Sequence, residues 1–80
     1  MGYVVHYPHN IYICKFNKRT KNFIIDCGLE NASIFLQKNY FIKFINSTNE
    51  WGSGGWEEYV KIFKCEIISY NEAIIKNVVE

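Results

Sequence analysis

Between Trp51 and Trp56 stand Gly52, Ser53, Gly54 and Gly55, and no regular element runs cheaply through such a stretch, because glycine gives up more backbone freedom on ordering than any other residue. The chain must turn here. The full connection, NSTNEWGSGGW over residues 46–56, separates two apolar segments at 40–45 and 59–68. It is longer than ten residues, whereas neighbouring strands are usually joined by two to five. Its two tryptophans carry more apolar area than a linker needs. In one reading the indoles fold back as a lid over an open end of a sheet, and the glycines only let the chain turn. In the other the loop projects as a contact surface, since Trp offers large area with few rotatable bonds and is enriched at interface hot spots. The second reading makes Glu50, Trp51, Gly52, Ser53, Gly54, Gly55, Trp56, Glu57 and Glu58 the candidate partner-binding residues.

Eighty residues form a single domain over 1–80, near the lower end of what folds alone. An aromatic content of 18% offsets the small size, and 49% hydrophobic against 21% charged residues argues for an ordered globule rather than a disordered chain. The formal charge of +1 supplies no global field that would steer the molecule to nucleic acid or to an anionic membrane. Cys14, Cys27 and Cys65 are odd in number and widely spaced, with no C-x-x-C pair. That pattern is not a disulfide framework, and buried free thiols in a reducing compartment are the expectation. The first residues, MGYVVHYPHN, lack the basic region and apolar run of a signal peptide, and no stretch is as long as a membrane span. Cytoplasmic, unanchored residence is therefore expected. The abundance of Ile, Asn, Lys, Phe and Tyr fits an A/T-rich genome, cellular or viral.

Residues 3–7 read as a short edge strand stopped by Pro8. NIYICKF, residues 10–16, is β-branched and aromatic and predicts a strand apolar on both faces. NKRTKN at 17–22 is a polar, basic hairpin connection, and residues 22–27 alternate as a half-buried strand before Gly28 ends it. Residues 29–39, LENASIFLQKN, fit either a two-turn helix or an irregular loop leading into a strand at 33–36. YFIKFI at 40–45 reads as a strand, and residues 57–68 as a long strand in which the alternation slips at Ile62 and Phe63, with a helix as the alternative. Ser69 and Glu72 have capping-box spacing and open a helix to about Val79, with Tyr70, Ile74 and Val78 spaced to dock on the sheet. These elements predict an α+β, mainly β fold: a small curved antiparallel sheet, or partly closed barrel, of four to five strands with a C-terminal helix.

Candidate chemistry is sparse. His6, His9 and Cys14, with Cys27 across a hairpin, contain zinc donors but lack the paired tight-turn spacing of a structural site, so no metal is assigned. The cysteines fall within apolar strand patterns that make inert core thiols, and carboxylate pairs such as Asp26 with Glu30 or Glu57 with Glu58 look like solvated charge. The glycines match neither the Walker nor the dinucleotide spacing, and Glu57 and Glu58 would repel phosphate. No cofactor and no catalytic residue follow. Lys15, Lys18, Arg19 and Lys21 form a basic hairpin that, beside exposed rings, could hold a single-stranded nucleic acid. The expectation is a non-catalytic binding protein, a regulator or inhibitor of a kind that phages and mobile elements encode, docking on another protein or on its own copy. The nucleic-acid-binding barrel is the alternative, and no membrane role is expected.

Overall fold

Val4 and Val5 are neighbours on one strand, so their side chains leave opposite faces of the sheet, and both are completely buried. A sheet that buries both must be covered on each side. The computed structural model describes residues 2–48 and 50–79, Val79 for its backbone only; Asn49, inside the Trp/Gly connection, lies outside the described residues. Strands β1 (Tyr3–Tyr7), β2 (Ile11–Asn17) and β3 (Asn22–Cys27) are followed by helices α1 (Tyr40–Ser47) and α2 (Gly55–Phe63), strand β4 (Glu66–Ser69) and helix α3 (Tyr70–Val79). The strands form an open antiparallel sheet in the order β3-β2-β1-β4.

On one face α1 and α2 close a core of Val5, Tyr7, Ile13, Phe41, Ile45, Tyr59 and Cys65. On the other, α3 and a 3-10 turn at Leu29–Asn31 cover Val4, Tyr12, Leu29, Ile68 and Ala73. Each fully buried large side chain here, such as Phe41 or Ile13, contributes roughly 1.5–3 kcal/mol. The one polar atom that Tyr12 carries into the second core is satisfied, its hydroxyl donating to Asn77 Oδ1 at 3.1 Å. At the start of α3 the Glu72 N–H donates to Ser69 Oγ at 3.2 Å, the cap that the Ser-x-x-Glu spacing predicts.

The α+β class, the antiparallel sheet, β3, the 17–22 hairpin and the C-terminal helix are as the sequence indicates. Several local expectations are overturned. Residues 40–45 are helical: Phe41 and Ile45, one helical turn apart, both face the core, and a 3.6-residue stripe wins over the β preference of Tyr, Phe and Ile. Residues 57–68 divide into a helix and a short strand. The slip at Ile62 and Phe63 is a helix end rather than a bulge, with Lys64 in the left-handed conformation at φ 54°. The strand at 3–7 is interior, paired with both β2 and β4. Residues 29–39 follow the loop alternative, joined to the sheet by a bridge between Phe35 and Tyr3 and by Ser33, whose N–H donates to the Ile13 carbonyl at 2.9 Å and whose hydroxyl donates to the Cys14 carbonyl at 2.6 Å. Helix α3 docks through Tyr70, Ala73 and Asn77, while Ile74 and Val78, expected to dock, are exposed together with Ile75. Cys14 and Cys27 are not free thiols: their sulfurs are bonded across β2 and β3, 13 residues apart. Cys65 is free and buried, as expected.

Candidate functional site

The Trp/Gly connection begins where Thr48 ends α1, its hydroxyl donating to the Ile45 carbonyl at 2.9 Å. A 3-10 turn at Gly52–Gly54 follows. Gly55, at φ 49°, leads into α2, and a Cβ there would collide with the Asn46 carboxamide. That close approach lets Asn46 Oδ1 accept the Trp56 N–H at 2.8 Å, so α1 caps the first turn of α2. Glycine at position 55 is thus required twice, by its backbone conformation and by its neighbour.

The indoles turn inward. Trp51 meets Tyr59 edge-on at 5.2 Å and Phe63 at 5.7 Å, and Trp56 stacks on Tyr59 at 5.7 Å while standing edge-on to Phe41 at 5.8 Å. Both are half-buried, and together they clamp Tyr59 from two sides. The indoles fold back, as in the first of the two readings, but onto α1 and α2 rather than over an open end of the sheet. Of the nine loop residues singled out in the sequence, Glu50, Gly52, Ser53, Gly54, Glu57 and Glu58 remain exposed, Gly55 is buried, and the two rings belong to the edge of the core.

Beneath the lid, the Tyr59 and Tyr7 hydroxyls hydrogen bond at 2.6 Å. Burial, reinforced by that bond, lifts the Tyr7 hydroxyl well above the ordinary phenol range. Burial pushes Tyr59 up to about 12 and the Cys65 thiol up to about 11. All three hold their protons near neutral pH, so none offers a nucleophile or base there. Between Trp51, α1 and the β2–β3 end of the sheet lies a cavity of about 200 Å³ whose described lining is half aromatic, the rest being Ile13, Ile25 and Ile45 with the polar Asn22, Thr48 and Glu50.

The basic hairpin residues Lys15, Lys18, Arg19 and Lys21 are all exposed. Asn17 Oδ1 accepts the Arg19 N–H at 2.9 Å and the Thr20 N–H at 3.3 Å, which holds the turn. Lys15, Lys18 and Arg19 share a surface hollow with Phe16 and Ile24. Lys15 and Phe16 also line an adjoining apolar groove with Phe23, Ile34, Phe35, Leu36 and Tyr40. In that groove Leu36 is 86% exposed, Tyr40 58% and Ile34 54%. Among the described residues no carboxylate lines the groove or the hollow. Sequence reasoning missed the groove, because residues 29–39 show no period. The available signal was an apolar triplet, Ile34-Phe35-Leu36, in an otherwise polar stretch.

His6, considered above as a zinc donor, is engaged elsewhere, with Nδ1 3.2 Å from Glu66 Oε2 and Nε2 2.7 Å from Asn10 Oδ1. Among the described residues no three His, Cys, Asp or Glu side chains are grouped to hold a metal, and no helix is long and apolar enough to cross a membrane. Comparison with protein-family models, curated proteins and solved structures finds no match to this chain, so any functional reading rests on the geometry described above.

Proposed function

We propose that this chain is a non-catalytic binding protein, a regulator or inhibitor, that docks on another protein through the groove between the β2–β3 hairpin and residues 33–40. The observation that carries the reading is Leu36, Tyr40 and Ile34, three large apolar side chains more than half exposed around one groove. An 80-residue domain has little apolar area to spare for its surface. Charge defines the partner: Lys15 lines the groove, Lys18 and Arg19 line the hollow beside it, and Lys38 is exposed within the same segment. The complementary ligand is an acidic segment presenting an apolar or aromatic anchor. The exposed part of the Trp/Gly loop, Gly52 to Gly54 with Glu57 and Glu58, is polar and acidic, which suits solvent better than a hot spot.

One observation favours the second reading, a single-stranded nucleic acid. Tyr40 is stacked on Phe35 at 5.5 Å and 23° in a groove that Lys15 also lines, a combination of rings and cation that bases and phosphates exploit. Selection of displayed peptides separates the two. The protein reading expects enriched peptides with carboxylates flanking an apolar anchor, and a loss of about tenfold or more with Leu36→Ser. Basic consensus peptides, or selection indifferent to Leu36→Ser, would refute it. Tight oligonucleotide binding that falls steeply with salt and depends on Lys18 and Arg19 would establish the alternative.

Compartment is tested separately. Cysteine spacing argues for the cytoplasm, where a Cys14–Cys27 bond is exceptional, whereas in an oxidising compartment it is routine. Alkylating the protein in denaturant as it leaves its host should trap all three cysteines in the first case and Cys65 alone in the second.

A further inference from the structure

The cavity under Trp51 is separate from the docking groove, sharing only Phe23 with it. Six aromatic side chains line it: Phe23, Phe41, Phe44, Trp51, Tyr59 and Phe63. They come from β3, α1, α2 and the Trp/Gly connection, so the cavity is a product of the whole face. Packing on that face does not require the space, because Phe41 and Tyr59 are already buried against Val5, Tyr7 and Ile13. At about 200 Å³ it is smaller than the roughly 300–1,000 Å³ of pockets for drug-sized ligands. It is a little larger than the ~150 Å³ cavity that accepts a single benzene. The ligand is therefore on the scale of one ring or one branched head group.

The sign of the lining decides the chemistry. Among the described residues that form the cavity Glu50 is the one that is formally charged, and neither ion pair found among the described residues involves it. An anion would be repelled by that carboxylate and by the electron-rich ring faces. A neutral apolar group would gain from burial alone. A soft organic cation gains from burial, from the rings and from Glu50 together. A primary ammonium is strongly hydrated and would lose that hydration among rings, whereas an alkylated one carries its charge under methyl groups. We propose that this cavity is a binding site for an alkylated ammonium group, with Trp51 as one wall and Glu50 as its counter-charge. The group could belong to a small quaternary amine or to a methylated lysine of another protein, and the same rings would recognise either.

The test is an NMR titration of the intact protein with choline and with its neutral isostere 3,3-dimethylbutan-1-ol. Choline should shift the Trp51 indole N–H and the Glu50 amide, with a dissociation constant on the order of 1 mM or tighter. The isostere should shift neither over the same range. Glu50→Gln, a change at an exposed residue, should leave the spectrum folded and weaken choline by about tenfold. A peptide carrying Nε-trimethyllysine, run beside its unmodified twin, identifies the source. Tighter binding than choline, with no binding of the twin, assigns a protein side chain, and choline binding with no response to either peptide assigns a small molecule. Equal binding of the isostere, an unchanged affinity in Glu50→Gln, or no shift with any ammonium compound would overturn the proposal.

Discussion

Replacing Trp51 and Trp56 by alanine separates a lid from a projecting loop through stability alone. Truncating a fully buried aromatic to alanine costs about 3–5 kcal/mol. Both indoles are half-buried and each makes two ring contacts, so about 2 kcal/mol apiece is the proportionate loss. The two costs overlap, because both rings touch Tyr59, and the double variant should lose about 3–4 kcal/mol. For a chain of 80 residues total stability is roughly 4–12 kcal/mol. At about 4–8 °C per kcal/mol, each single variant should melt roughly 8–16 °C lower and the double variant roughly 12–32 °C lower. The assay is thermal unfolding followed by far-ultraviolet circular dichroism. Substitutions on a projecting loop would stay within about 0.5 kcal/mol. A double variant melting within about 4 °C of the parent would therefore refute the clamp on Tyr59.

Gly55→Ala should destabilise by about 2 kcal/mol or more, since it combines a positive φ with a collision at Asn46; Gly52→Ala, at φ 61° but in open space, should cost about 1 kcal/mol, and urea denaturation of the pair checks the order. Breaking the Cys14–Cys27 bond, which closes a short loop of the β2–β3 hairpin, should cost about 3 kcal/mol, read as a lowered melting point of Cys14→Ser/Cys27→Ser against the oxidised parent. Cys65 has its thiol raised by burial from 9.0 to about 11, so its folded state favours the protonated form. The stability it contributes is whole below pH 9.0 and is lost as pH rises towards about 11. Cys65→Ala should flatten that alkaline limb in urea midpoints measured across the window, and a limb of unchanged slope would count against the buried, protonated thiol.

How far the sequence discloses this fold depends on whether a local pattern has a rival. Asn22 to Cys27 alternates over six residues between a polar hairpin and Gly28, and Ser69-x-x-Glu72 precedes a run with good helix formers, so β3 and α3 are legible. Residues 40–45 are not, because Phe41, Phe44 and Ile45 satisfy a helical stripe while Tyr40, Ile42 and Phe44 satisfy a strand. Only docking on a sheet assembled from distant residues decides between them. The disulfide is invisible for a similar reason: β2 and β3 are adjacent in sequence, but bulges in their register set which side chains face each other, bringing the Cys14 and Cys27 Cα atoms to 5.8 Å. The oddity of the Trp-bracketed glycines is plain in the sequence, and its meaning is not, since a lid and a contact loop call for the same composition. The groove was hidden in an aperiodic stretch, and the cavity draws its rings from four separate segments.

A photoreactive benzoylphenylalanine placed at Leu36 in one sample and at Ser53 in another, irradiated in extract of the native host, tests the account most directly. Docking through the hairpin groove requires a protein adduct from position 36 and none from position 53. An adduct formed only at 53, or one at 36 that nuclease removes, would contradict it.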